Sequence, residues 1–249
     1  MRILLTNDDG VASPGILRLR EVLEEAGHEV WTVAPDGERS GMSNYITLTE
    51  AIRCENVGER ILAGSGSPAD CVVVALLGAI PIEPEVVISG INIGPNLGTD
   101  IIYSGTAAGA RQAAYKGIPG IAASLDSFTP PLHFTPIARF IADHLRELIE
   151  LWNPDHFINI NAPNVDAEHL PVQITRPSVR RYADTLHRWD PPRGGVYYFV
   201  DGRLDSDPPE PGTDWHAISE GAISISPVML NPINHTVEDA YQRASFVRE

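Results

Sequence analysis

One feature constrains this chain more than any other: across its first 160 residues, short apolar runs alternate with amphipathic stretches. "RILLT" at 2–6 reads as a strand, and Ser13-Pro14 then supplies an N-cap with proline at the first helical position. "GILRLREVLEEAG" follows, with Ile16, Leu17, Leu19, Val22 and Leu23 at helical spacing and Gly27 suited to the C-terminal cap. The same reading predicts strands at "EVWTVAP", "NYITLT", "RILAG", "EVVISG", "PGIAASL" and "HFININAP". Helices are predicted at "ADCVVVALLGA", which Ser67-Pro68 opens, at "GARQAAYKG" and at "IARFIADHLRELIELW". Strands alternating with helices imply a mostly parallel sheet covered on both faces, a three-layer, doubly wound α/β fold. In such sheets ligands bind outside the carboxyl ends of the strands.

This α/β region is expected to span 1–176. Residues 177–216 differ, being punctuated by "WDPPRGG" and "SDPPEPGTDW" around "VYYFVDGRL". Asp201-Gly202 is a two-residue hairpin signal. The segment therefore reads as a C-terminal β-hairpin arm, either a surface excursion or an oligomerisation arm whose aromatic strands need a partner. "GAISISPV" then begins a C-terminal strand and tail, 217–249, returning to the main domain.

Composition narrows the function classes. The chain has 33 acids against 18 bases, a net charge of −15, and Lys116 is its only lysine. Nothing basic tracks a phosphate backbone, so a nucleic-acid polymer is not the expected partner. No apolar stretch approaches membrane-spanning length, and the N-terminus lacks the pattern of a secretory signal. Cys54 and Cys71 suggest no disulfide framework, so a reduced, cytoplasmic setting is expected.

Four polar clusters follow predicted strands: "NDDG", "PDGERSGMSN", "GSGSPADC" and "SGINIGPNLGTDIIYSGTAAGA". In a parallel sheet they share one edge. Asp8 and Asp9, side by side after a buried strand, disfavour each other's ionisation. A divalent cation is the simplest compensation, and hard cations such as Mg²⁺ or Mn²⁺ take oxygen ligands. Ser40 and Asn92 offer neutral oxygens on neighbouring loops. Asp-Asp-Gly is equally an ordinary turn, and Asn7 or Asp8 also suits a helix cap.

Ser104, Gly105 and Thr106 sit where a loop becomes an alanine-rich helix, an arrangement able to hold an anion with backbone N–H groups and hydroxyls. A plain Ser cap is the simpler alternative. Asn96 could add a side-chain amide or merely serve its turn, Asp100 reads equally as a solvated loop acid, and Arg39 as the partner of a surface acid. A cation site and an anion site on one edge point to a phosphate ester. Asp8 and Asp9 are the catalytic pair, with Asp8 the candidate for direct participation as nucleophile or as base toward water.

Rival chemistries lack their motifs: there is no G-x-x-x-x-G-K-[ST], no G-x-S-x-G and no H-E-x-x-H. One rival has a motif. The 64–69 turn "GSGSPA" satisfies G-x-G-x-x-A between a strand and a helix, with Glu83 and Glu85 downstream. It leaves open an NAD-type oxidoreductase, whereas those acids precede the next strand instead of ending it. A non-catalytic metal and nucleotide sensor is the third reading.

Taken together, "MRILLTNDDGVASPG", "VAPDGERSGMSN", "GSPADCV", "SGINIGPNLGTDIIYSGTAAGAR", "INAP" and "PGTDWHAISEGAISISP" resemble the SurE family of stationary-phase survival proteins. Ser13 stands where alanine is usual, and Ser67 where threonine is expected. The resemblance implies a Rossmann-like α/β domain, one divalent cation (Mg²⁺ or Mn²⁺) and hydrolysis of nucleoside 5′- or 3′-monophosphates. By motif it assigns the metal to Asp8, Asp9, Ser40 and Asn92, and the substrate phosphate to Asn96, Ser104, Gly105 and Thr106. It also implies a homodimer or homotetramer built partly through the β arm.

Overall fold

A computed structural model describes residues 1–205, 208–231 and 235–244; positions 206–207 of the arm and 232–234 and 245–249 of the tail lie outside the described residues. Among the described residues eleven strands form: β1 (Arg2–Thr6), β2 (Glu29–Pro35), β3 (Cys54–Gly58), β4 (Ile61–Gly64), β5 (Val86–Ile93), β6 (Gly120–Asp126), β7 (His156–Pro163), β8 (Val172–Ile174), β9 (Tyr182–Trp189), β10 (Tyr197–Leu204) and β11 (Ile223–Met229). The α-helices are α1 (Pro14–Glu25), α2 (Pro68–Val74), α3 (Gly105–Tyr115), α4 (Thr135–Leu151), α5 (Asp214–Ser219) and α6 (His235–Gln242). A single nine-stranded sheet runs β3-β4-β2-β1-β5-β6-β7-β11-β8, and β9 and β10 pair with each other alone.

From β4 to β7 every neighbouring pair is parallel. The chain fills one side of β1 with β2 and β4, then crosses to β5, β6 and β7 on the other. The strand order therefore reverses between β1 and β5, and a crevice opens at their carboxyl ends.

The apolar runs become buried strands because both faces find a helix. Ile3 and Leu5 pack with Ile16 and Leu19 of α1 and Ile137 and Ile141 of α4. Leu4, between them, points the other way, toward Cys71 and Val72 of α2 and Ala113 of α3. Val86 and Ile88 repeat the first pattern, Val87 the second. Period-two alternation thus sends consecutive apolar residues into two separate layers. Helix α3 is rich in Ala and Gly because it lies close on the sheet: a Cβ at Gly109 would stand 2.7 Å from Ser89 Oγ and 2.9 Å from Thr6 Cγ2.

Several expectations need correction. "NYITLT" forms no strand; Thr47 instead docks onto the start of α2, its amide 2.9 Å from Asp70 Oδ1 and its hydroxyl 2.7 Å from Oδ2. "ADCVVVALLGA" is α-helical to Val74 and continues as a π-helix over Ala75–Ala79, kinked where Gly78 takes a φ of 114°. Strand β5 runs on through Ile93, past a register shift between Ser89 and Asn92, so Asn92 lies on a strand and not in the loop after it. Asp201-Gly202 is no turn. Both residues sit inside β10, opposite Thr185 and Asp184, and the reversal falls between Trp189 and Tyr197, where Gly194 and Gly195 take positive φ of 85° and 84°. The long β9 run outcompetes the local turn signal: eight consecutive register pairs form only if 201 and 202 stay extended. Ser13 takes the N-cap backbone position of α1, but its hydroxyl makes no capping bond.

Strands β3 and β8 enlarge the sheet beyond the sequence reading, and β11 joins antiparallel to β7. Cys54 and Cys71 are both free thiols. Among the described residues, no helix is long and apolar enough to cross a membrane.

Candidate active site

The crevice between β1 and β5 is built around Asp8, the second residue after β1 and only 4% exposed. Its carboxylate lies against the N-terminus of α3. The Thr106 hydroxyl donates a short hydrogen bond to Asp8 Oδ1, and a Cβ at Gly105 would stand 2.8 Å from Asp8 Cβ and 2.9 Å from Oδ2. Glycine is required at 105 because the carboxylate fills the space of a side chain. Burial pushes the Asp8 carboxyl above its ordinary range, and the hydrogen bond from Thr106 opposes the shift.

Asp9 points the other way, toward β5, where the Ile93 amide donates to its Oδ2 at 3.1 Å. Burial, reinforced by the charges of Asp8 and Glu38, lifts its pKa to about 7 against the Ile93 bond. Two desolvated carboxylates at adjacent positions are poorly compensated by the protein alone.

Asn92 precedes Ile93 on β5 and carries a neutral oxygen. Its amide nitrogen donates to the carbonyls of Gly94 (2.8 Å) and Ile93 (3.3 Å). That anchors the amide group and leaves a buried Oδ1 with no hydrogen-bond partner among the described residues. An orphaned acceptor beside two acids of raised pKa is a set of oxygens that fits a hard divalent cation. Among the described residues no group of three or more His, Cys, Asp or Glu could hold an ion, so neutral oxygens must complete any such site.

The loop after β2 approaches from a third side. The Arg39 amide donates to the Asp8 carbonyl at 2.7 Å, while its guanidinium pairs with Asp36 at 2.7 Å, as expected of a surface acid partner. Ser40 follows, its hydroxyl donating to Glu38 Oε1 at 2.6 Å.

On the anion side the four residues have different partners. Ser104 caps α3, accepting from the Ala107 amide at 3.0 Å, and Gly105 and Thr106 both contact Asp8. Asn96 is held from β6 and β7: its amide nitrogen donates to Ser124 Oγ (2.8 Å), its backbone N–H to Asn161 Oδ1 (2.8 Å), and its carbonyl accepts from Asn159 (2.9 Å) and Asn161 (3.0 Å). Asp100 is no solvated acid. It pairs with Arg180 at 2.6 Å and accepts from the Tyr182 hydroxyl at 2.8 Å.

Comparison with known proteins places this architecture. The family model described as Survival protein SurE matches residues 3–184. The chain belongs to the SurE family. A relative named 5′-nucleotidase SurE from Cyanothece sp. is 42% identical over 252 residues, covering 95% of this chain and 93% of that protein. Another of that name, from Thermosynechococcus vestitus, is 43% identical over 244 residues, covering 93% and 91%. The crystal structure of a SurE protein from Aquifex aeolicus superposes with a TM-score of 0.85 at 34% identity, covering 97% of this chain and 98% of that one.

Within this SurE chain the rival glycine turn is filled from inside. The Ser67 hydroxyl accepts from the Asp70 amide (3.1 Å), Asp70 Oδ2 accepts from the Ser67 amide (2.9 Å), and a Cβ at Gly66 would stand 2.7 Å from Asp70 Cβ. The donors that a dinucleotide pyrophosphate would need are already spent on this capping box.

The SurE sequence also holds supporting residues that motif reading missed. Asn159 and Asn161 are fully buried on one face of β7 and hold the Asn96 loop. Their signal is two asparagines at i and i+2 inside an apolar strand. Asp214, also fully buried, accepts from the amides of Gly98 (2.7 Å) and Ser178 (2.9 Å) and so ties that loop to the root of the arm. Glu38, at the mouth of the acidic pair, carried no signal beyond its place in "ERSG".

Proposed function

We propose that this SurE-family chain is a metal-dependent phosphomonoesterase, releasing nucleoside and inorganic phosphate from nucleoside monophosphates. The observation that carries this reading is the meeting of two acids of raised pKa, an orphaned amide oxygen and a helix N-terminus at the sheet's switch point. The relatives named 5′-nucleotidase SurE support it from outside.

In this reading Asp8, Asp9, Ser40 and Asn92 would hold one Mg²⁺ or Mn²⁺, and the ion would supply Lewis-acid chemistry to the phosphate ester and to water. Asp8 and Asp9 supply the negative charge, Asn92 and Ser40 neutral oxygens. Ser104, Gly105, Thr106 and Asn96 position the phosphate at the positive end of α3, so that its charge is met by fixed donors as the ester bond to the nucleoside breaks. Thr106 also keeps Asp8 turned inward.

The arm of 177–216 is proposed to join two or four copies of this chain, since its aromatic strands are uncovered. The protein is proposed to act in the cytoplasm, its two cysteines being unpaired thiols.

The test is phosphate release from 5′- and 3′-nucleoside monophosphates with Mn²⁺ or Mg²⁺, with EDTA, and with Asp9→Asn. Turnover that needs metal and falls by at least about 10³-fold in the variant is expected, because a transition-state charge loses its principal partner. Absence of turnover from every ester, with nucleotide still bound, would sink the enzyme and leave a sensor.

A further inference from the structure

We infer that Glu38 is a positioning residue of the cation site: it accepts the hydrogen bond of the Ser40 hydroxyl and so turns that oxygen's lone pairs toward the acidic pair. The inference rests on the cation site proposed above and goes beyond its four ligands.

The argument starts from the inventory of a serine hydroxyl, one proton and two lone pairs. Such a group ligates a cation only if its proton is pointed at some other acceptor. In this chain the acceptor is specific. Glu38 Oε1 lies 2.6 Å from Ser40 Oγ, a charge-assisted distance, and 2.9 Å from the Ser40 backbone nitrogen. One carboxylate oxygen therefore fixes both the rotation of the hydroxyl and the placement of its backbone.

The Glu38 carboxylate is left to Ser40. The neighbouring arginine is drawn away: the Arg39 guanidinium goes to Asp36 (2.7 Å) and to the Glu38 backbone carbonyl (2.9 Å). Among the described residues no lysine or arginine pairs with the Glu38 carboxylate. Its field reaches both acids, since its charge contributes to raising Asp8 and Asp9 alike. The three acids nevertheless form no joint ion-binding group. Glu38 thus acts through Ser40, as outer carboxylates do when they orient a ligand and raise its basicity.

Mn²⁺ binding to the purified full-length protein, by titration calorimetry and by the Mn²⁺ electron paramagnetic resonance signal, tests this without any turnover. Glu38→Ala and Ser40→Ala should each weaken Mn²⁺ binding by about 10- to 100-fold, the range for lost outer partners of metal ligands. Because one acts through the other, the double variant should bind about as weakly as the weaker single, not at the product of the two losses. Glu38→Gln, which retains an acceptor oxygen, should recover part of the loss. Glu38 is exposed, so these variants should melt within a few degrees of the parent. Unchanged affinity in Glu38→Ala, or multiplicative losses in the double variant, overturns the assignment. Asp9→Asn separates the two levels: if it still binds Mn²⁺ at parental affinity, the cation site itself fails, whereas loss there with Glu38→Ala unchanged removes Glu38 alone.

Discussion

The switch-point crevice and the β9–β10 arm are opposites in how their sequences are satisfied. At the crevice polar groups are buried and meet partners from distant parts of the same chain: Asp8 from Thr106, Asp9 from Ile93, Asn96 from Asn161. In the arm all sixteen strand residues are exposed, and large apolar residues face solvent, with Tyr197 53%, Phe199 58% and Val200 71% exposed. The first region is polar where burial is costly, the second apolar where exposure is costly. Each is a mismatch that ordinary folding leaves unresolved, and each points to something outside the polypeptide, a cation in one case and a protein surface in the other. The two are mechanically joined. Arg180, at the root of the arm, pairs with Asp100, and its backbone exchanges hydrogen bonds with the Thr99 hydroxyl at 2.6 and 3.2 Å, on the loop leading to Ser104.

The comparison is broken most forcefully at Gly105. A methyl group there would stand 2.8 Å from Asp8 Cβ, so either α3 or the carboxylate must shift. Displacement of a catalytic group by an ångström costs on the order of 10²-fold in rate. Gly105→Ala should therefore lose about 100-fold in kcat while remaining folded by circular dichroism. An alanine at Gly194, in the arm's turn, meets no atom within 4 Å and should leave the rate unaltered, although its positive φ strains the turn. Equal rates in the two variants would dissolve the claim that Asp8 is fixed by its packing.

That contrast also separates what was legible in the sequence from what was not. Asp8 and Asp9 could be placed because an apolar triplet ended abruptly in charge, a local signal. The α/β alternation was legible for the same reason: Ile3, Leu4 and Leu5 are apolar in sequence and buried in two layers. In sequence Asn92 reads as a loop residue because Gly90 interrupts an apolar run, yet the strand continues past that interruption. Asn159, Asn161 and Asp214 were invisible as a set, since they converge on one loop from 63, 65 and 116 residues away. The arm misled in the opposite sense. Its Asp-Gly pair is a strong local turn signal, overridden by eight cross-strand pairs.

A smaller effect sharpens the crevice side alone. In metal-free protein Asp9 holds its proton to about pH 7, whereas in the unfolded chain it ionises near pH 4. Between those values the folded state binds the extra proton, so unfolding releases it and becomes easier as pH rises. Asp8, also raised, acts in the same sense. Thermal melts in EDTA should show stability falling from pH 4 to pH 7, the fall shrinking in Asp9→Asn. Saturating Mn²⁺ should restore the midpoint at pH 7 and above, since an ion that binds only the folded form stabilises it by mass action. A melting temperature that rises across this window would mean the pair is compensated without a cation.

The smallest expected effect belongs to the arm, and its size is itself diagnostic. Ile88→Ala, in the fully buried centre of β5, should cost about 2–5 kcal/mol in denaturant unfolding. Val200→Thr, at an exposed arm position, should stay within about 0.5 kcal/mol if the arm is bare. If the arm instead docks on another copy, the same substitution removes buried apolar area, and the cost must depend on protein concentration. Sedimentation and melting across a hundredfold dilution distinguish the two. A concentration-dependent midpoint in the parent that Val200→Thr lowers, with kcat following it, would show that the partner's hold on the arm reaches the crevice through Arg180 and Asp100. A midpoint independent of concentration would leave the arm an exposed hairpin, and its aromatic faces would then call for a partner other than this chain.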